Sequence, residues 1–128
     1  MVPEDLKYTD QHEWIRLEGS VGVVGITHHA QELLGDITFV ELPVSGRDVT
    51  KGSEACVIES AKAAASVYAP ASGQIVGVNT SLEDDPSLPN TDPYGEGWIL
   101  KIQLSSPDEL AGLMSAQEYE EFLKKEEA

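Results

Sequence analysis

Cysteine is almost missing from this chain: Cys56 stands alone among 128 residues. That excludes an internal disulfide and any zinc site built on cysteine pairs, and it fits a reducing, cytoplasmic setting. Cations are scarce as well. Eight Lys and Arg against 23 Asp and Glu leave a formal net charge of −15. Such a surface repels phosphate backbones and anionic lipid, so neither nucleic acid nor a membrane is an expected partner. No apolar run approaches the roughly 18 residues of a membrane helix. The opening Met1-Val2-Pro3-Glu4-Asp5 is acidic and reads as neither a signal nor an Arg-rich transit peptide. The sequence also lacks a phosphate-cradling Gly-x-x-x-x-Gly-Lys-Ser/Thr loop and a Gly-x-Ser-x-Gly elbow. Gly95-Glu96-Gly97 precedes no helical pattern. Of the three histidines His12, His28 and His29, the adjacent pair points to different faces of a helix, so no metal site is expected. Cys56 lies within the apolar run Ala55-Cys56-Val57-Ile58 and reads as a small buried hydrophobe, not a nucleophile. No catalytic residue emerges.

What is present is alternation. With 41% hydrophobic residues the chain folds, and its length suits one domain. The apolar positions repeat mostly with period two, which predicts half-buried strands over 12–18, 21–26, 36–42, 53–59, 64–69, 74–79 and 98–104. Thr27 is placed to cap a short helix from His28 to Leu34 that Gly35 ends,. Residues 80–97 read as a long polar loop with Pro86, Pro89 and Pro93, a length that is often functional. Ser106-Pro107-Asp108-Glu109 and Ser115-Ala116-Gln117-Glu118 carry helix-start signals, the second helix running to about Lys125 with Tyr119, Phe122 and Leu123 inward. The expected architecture is mainly β, an antiparallel sandwich or flattened barrel with short peripheral helices, including a C-terminal one. Residues 1–128 form one domain, with core sheets over about 8–104 and a helical cap over about 106–125.

One cation has an unusual setting. Lys62 is the only Lys or Arg between Lys51 and Lys101, and Ser60, Ala61, Ala63, Ala64, Ala65 and Ser66 around it are all small. Strand-forming segments flank it, so a single amine stands at a hairpin tip with nothing bulky nearby. An ordinary solvated turn lysine is the plain reading. A lysine presented for enzymatic modification is the functional one.

The run Val57-Ile58-Glu59-Ser60-Ala61-Lys62-Ala63-Ala64 resembles the lipoylation segment of the H-protein family of the glycine cleavage system. Tyr8-Thr9-Asp10-Gln11-His12-Glu13-Trp14 is similar to that family's opening block, and Gly25-Ile26-Thr27 through Leu34-Gly35-Asp36 to its second. Val40-Glu41-Leu42-Pro43, Tyr68-x-Pro70-x-Ser72-Gly73, Asn90, Asp92-Pro93-Tyr94, Gly97-Trp98 and Ser115-Ala116-x-Glu118-Tyr119 continue the likeness in family order. The resemblance implies a mainly β, lipoyl-type flattened barrel-sandwich of two antiparallel sheets with the lysine at a hairpin turn, and a non-catalytic carrier. Lipoic acid would be joined to Lys62 as an amide, with Glu59, Ser60, Ala61 and Ala63 as its immediate setting. Loss of the ammonium would move the net charge from −15 to −16.

The implied partners are a PLP-dependent glycine decarboxylase, a folate-dependent aminomethyltransferase, dihydrolipoyl dehydrogenase and a lipoylating enzyme. The implied task is to shuttle the aminomethyl group of glycine between the first two, with reoxidation by the third. A monomer suits such a shuttle. A relay of lipoyl groups to other acceptors makes the same demands and stays open. Ala61-Lys62-Ala63 fits neither the Asp-Lys-Ala of dehydrogenase lipoyl domains nor the Met-Lys-Met of biotin carriers. One departure stands out: Ser66 occupies a position where the family often has Asp. Glu13 has two readings, a carboxylate in a cleft that shelters the cargo or a charge on an exposed rim. Trp14 and Trp98 are assigned to the core.

Overall fold

The computed structural model describes residues 2–127. Met1 of the opening segment and the last residue of the expected domain lie outside the described residues. Strands β1 (Lys7–Tyr8), β2 (Glu13–Glu18), β3 (Val21–Ile26), β4 (Ile37–Glu41), β5 (Asp48–Val49), β6 (Glu54–Ser60), β7 (Ala64–Tyr68), β8 (Gly73–Val78) and β9 (Leu100–Leu104) form two antiparallel sheets. One has six strands in the order β1-β2-β3-β9-β8-β5, the other three in the order β4-β6-β7. Neither sheet closes into a barrel. The helices are α1 (His28–Leu34), α2 (Ser81–Asp84), α3 (Leu88–Thr91) and α4 (Ala116–Glu127).

The main core fills the space between the sheets, with Ile15, Val24, Ile58, Ile75, Ile99, Leu100 and Ile102 almost fully buried. Alternation alone leaves the other face of β2 and β3 wet, yet Trp14 and Val23 there are buried too. The reason is a second core, in which the N-terminal segment and α4 cover that face with Val2, Leu6, Tyr8, Ala116 and Tyr119. The rings of Tyr8 and Tyr119 stack with centroids 4.7 Å apart,. Trp14 is accommodated because its register partner is Gly25. A Cβ there would lie 2.6 Å from the indole ring. The indole N–H donates to the carbonyls of Ile26 and Pro93, each at 3.0 Å. Trp98 is only half-buried and packs against this second core, with the Lys101 ammonium 5.0 Å above its ring,.

Most expected elements are present, and two differ. Residues 80–97 contain the single-turn helices α2 and α3. Ser106 makes no side-chain cap, and residues 107–112 form a 3-10 turn. Glu109, read as the partner in that cap, instead accepts from the backbone N–H of Ser72 at 2.7 Å and from its hydroxyl at 2.9 Å. At α4 the expected reciprocal box is made: Glu118 accepts from the Ser115 N–H at 2.9 Å, and the Ser115 hydroxyl accepts from the Glu118 N–H at 3.2 Å,.

Candidate functional site

Strands β6 and β7 are joined by the tight turn 60–64, whose tip residues Ala61, Lys62, Ala63 and Ala64 are exposed. The turn is held from within by Ser60. Its N–H donates to the Ala63 carbonyl at 2.7 Å, and its hydroxyl oxygen accepts from the N–H groups of Ala63 at 3.1 Å and Lys62 at 3.4 Å,. Glu59, one residue earlier, is exposed. From outside, the Ala61 N–H donates to the Asp36 carbonyl at 3.0 Å, which fastens the tip to the end of α1.

That end is built around a glycine. Gly35 has φ 75°, a left-handed conformation that glycine adopts without strain. A Cβ on it would meet the Lys62 stem, with Cε only 3.4 Å away. The lysine methylenes thus lie along the C-terminal end of α1 while the amine reaches solvent. Asn90, from the long loop, fixes this corner. Its amide donates to the Gly35 carbonyl at 2.9 Å and to the Gln31 side-chain oxygen at 3.0 Å, and its own oxygen accepts from the Ile37 N–H at 2.9 Å. Sequence reasoning singled out Asn90 only as part of the family likeness. The polar, proline-rich loop that carries it was the available signal.

A cleft of about 160 Å³ runs between α1 and β7. Leu33, Leu34, Ala30, Ile26, Ile58, Ala65 and Val67 make it chiefly apolar, and Gln11, His12, Glu13 and Ser66 supply the polar wall. Helix α1 spans about 10 Å. Its last residues stand beside Lys62, and its cap residue Thr27 donates its N–H to the His12 carbonyl at 3.0 Å. The cleft is thus lined at one end by Leu34, next to the Gly35 that the Lys62 stem overlies, and at the other by His12 and by Glu13 at the start of β2. A larger cavity of about 400 Å³ touches the other side of Glu13. It opens by Lys51 and Gly52, at the opposite end of the β6–β7 hairpin from Lys62.

The rim reading of Glu13 does not hold, since its exposure is only 2%. One carboxylate oxygen accepts from the Thr9 hydroxyl at 2.5 Å, the other from the Tyr68 N–H at 3.0 Å. Burial pushes its pKa up, and these two hydrogen bonds pull against that shift,. Ser66 does not present a carboxylate, but its hydroxyl donates to Glu54 at 2.6 Å across the hairpin. A negative charge is thus held against the residue that stands in for the usual Asp. Cys56 is buried, and its thiol is pushed up to about 12 by burial. It is inert as a nucleophile at neutral pH.

A two-sheet sandwich that holds one hairpin tip out in solvent beside an apolar cleft is built as a carrier protein. A family model described as "Glycine cleavage H-protein" matches residues 6–126. The glycine cleavage system H protein of Symbiobacterium thermophilum is 55% identical over 124 residues, covering 97% of both chains. That of Pseudoalteromonas atlantica is 52% identical over 126 residues, covering 98% of both. The crystal structure of a glycine cleavage system H protein from Mycobacterium marinum superposes with a TM-score of 0.86 at 39% identity, covering 99% of this chain and 100% of that one. The chain belongs to the glycine cleavage H-protein family, the lipoyl carrier of the glycine cleavage system. No helix among the described residues is long and apolar enough to cross a membrane.

Proposed function

We propose that residues 1–128 act as one monomeric, cytoplasmic carrier domain without catalytic activity of its own, and that Lys62 is its lipoyl attachment point. The observation that carries this is the placement of Lys62 on an exposed tip of small residues, its stem lying over Gly35 where the apolar cleft begins. The surroundings fit a lipoyl arm. Glu59, Ser60, Ala61 and Ala63 leave the amine accessible to a lipoylating enzyme, and Leu34, Ala65, Ile58 and Val67 offer an apolar wall to methylenes.

Lipoate held as an amide on Lys62 supplies a cyclic disulfide, the redox-active group carrier that Cys56 cannot replace. The partners follow from the family: a PLP-dependent glycine decarboxylase would load the aminomethyl group, a folate-dependent aminomethyltransferase would remove it, and dihydrolipoyl dehydrogenase would reoxidise the arm held on Lys62. The residues of this chain contribute reach, shelter and charge. A tether at Lys62 raises the local concentration of the cargo at each docked enzyme. The cleft keeps water from the cargo. Glu13 offers a carboxylate at the far end, and an ammonium brought there offsets the desolvation that raises its pKa,.

Incubation with a lipoylating enzyme and lipoate tests the attachment point. A lipoyl-sized mass increment should map to the peptide containing Lys62 and be absent from Lys62→Arg. An increment elsewhere, or none, defeats the proposal. Glu13 is tested by the rate at which the cargo is lost to water. Glu13→Gln should lose it several-fold faster, and equal rates would remove Glu13 from the shelter.

A further inference from the structure

Three segments that are distant in sequence bring their polar tips together at the end of the cleft farthest from Lys62. His12 comes from the β1–β2 turn, His29 from the first turn of α1, and Glu126 from the last turn of α4. His12 Nε2 lies 3.4 Å from a Glu126 carboxylate oxygen, and His29 Nε2 lies 3.8 Å from the same oxygen. One donor atom from each residue falls within a 4.8 Å span. We propose that His12, His29 and Glu126 form a binding site for a divalent transition-metal ion of borderline softness, of which Zn²⁺ is the representative. The site goes beyond the carrier role and does not depend on it.

The distances suit that ion. With bonds of about 2.0–2.1 Å, a tetrahedral zinc centre has donor atoms about 3.3–3.4 Å apart. The His12–Glu126 separation already has that length, the His29–Glu126 separation of 3.8 Å is slightly longer, and the whole set, which spans up to 4.8 Å, contracts around a bound ion. Two imidazoles and one carboxylate are a donor set that zinc accepts, leaving a fourth position for water, while hard ions such as Mg²⁺ prefer oxygen alone.

The first histidine is also held in the way that metal-binding histidines are held. His12 has φ 69°, an uncommon conformation outside glycine that histidine tolerates better than most. It is pinned on both sides, by the Thr9 carbonyl accepting from its N–H at 3.2 Å and by the Thr27 N–H donating to its carbonyl at 3.0 Å. Its Nδ1 lies 2.8 Å from the Tyr119 hydroxyl, which lies 2.7 Å from the Thr27 hydroxyl. Both hydroxyls can donate or accept, so the chain can run from Nδ1–H through Tyr119 to Thr27 and leave the Nε2 lone pair free for an ion. Tyr119 and Glu126 stand seven residues apart on α4, on the same face. That stripe carries an aromatic and then a carboxylate, both directed at His12.

This grouping escapes the sequence argument because that argument compared only neighbouring histidines. His28 faces elsewhere and pairs with Glu32 at 3.2 Å. The fold replaces it with His12, 17 positions upstream of His29.

Calorimetric titration of ZnCl₂ into the full chain, chelator-treated and free of reductant, tests the site. Co²⁺ serves as a spectroscopic substitute. Wild type and His28→Ala should each bind one equivalent, with visible Co²⁺ bands of four- or five-coordinate geometry and a raised Tm. His29→Asn and Glu126→Gln, both at accessible helix positions, should lose the saturable site and the Co²⁺ bands while folding normally. Tyr119→Phe should weaken binding about tenfold by freeing the His12 ring. Absence of saturable binding at millimolar Zn²⁺ would overturn the proposal. So would affinity unchanged in His29→Asn or Glu126→Gln, which would mean diffuse binding to the acidic surface.

Discussion

The two ends of the cleft differ in almost every physical respect. At the lysine end the side chains flanking Lys62 are alanine and serine, the tip is exposed, and four hydrogen bonds within the turn and one to Asp36 hold the backbone. At the Glu13 end the carboxylate is 2% exposed and both its oxygens are engaged, by Thr9 and Tyr68. The contrast fits the two duties proposed for these ends. A group that must reach several enzymes needs a fixed anchor and a free head. A group that must hold a charge away from water needs a preorganised, desolvated setting.

The most severe way to break the comparison is at the anchor. Lys62→Arg should abolish cargo transfer while leaving thermal stability within about 0.5 kcal/mol of wild type, as expected of an exposed substitution. Tm and turnover with the partner enzymes read the two effects. A large loss of stability would show that the lysine is part of the packing and not a free head. Asn90→Ala comes next. It removes three hydrogen bonds at the corner under the turn and should cost about 2–3 kcal/mol. Faster amide exchange should then appear at Gly35, Ile37 and Ala61, whereas uniform exchange would place the turn's support elsewhere.

Glu13 sharpens the other end through pH. Burial raises its pKa above the ordinary 4.5. The native state therefore holds this proton to higher pH than the unfolded chain does. Relative to Glu13→Gln, wild type should be most stable below about 4.5 and lose that advantage as pH rises through the raised native value,. Denaturation midpoints of the two proteins across that interval measure it, and a constant difference contradicts the assignment. The smallest effect belongs to Ser60→Ala, which removes the hydroxyl that accepts from Lys62 and Ala63. It should cost about 0.5–1.5 kcal/mol by chemical denaturation, with lipoylation slowed and not lost.

Legibility in the sequence follows the same divide. The lysine end is local: small residues, flanking alternation and the Thr27–Gly35 helix signals place it within one stretch of chain. Helix α1 runs from His28 to Leu34 as those signals predict. The Glu13 end is assembled from afar. Whether the glutamate is a rim charge or a buried group depends on Tyr68, Thr9 and the cover supplied by α4, none of which alternation in β2 reports. The same holds for Trp14, which the core assignment reaches but whose environment depends on Gly25 and Pro93. The Ser106 cap fails for a related reason, since a distant partner, Ser72, claims Glu109. Asn90 needs a tertiary contact before its three hydrogen bonds mean anything. Local rules read what neighbours decide, and long-range pairing decides the rest.

The most direct measurement is glycine–bicarbonate exchange reconstituted with the partner decarboxylase, comparing the lipoylated chain with Lys62→Arg treated identically. Exchange should require the lipoylated wild type and fall to background with the arginine variant. Exchange sustained by Lys62→Arg, or by wild type that bears no lipoyl group, would contradict the account of a lysine-tethered carrier.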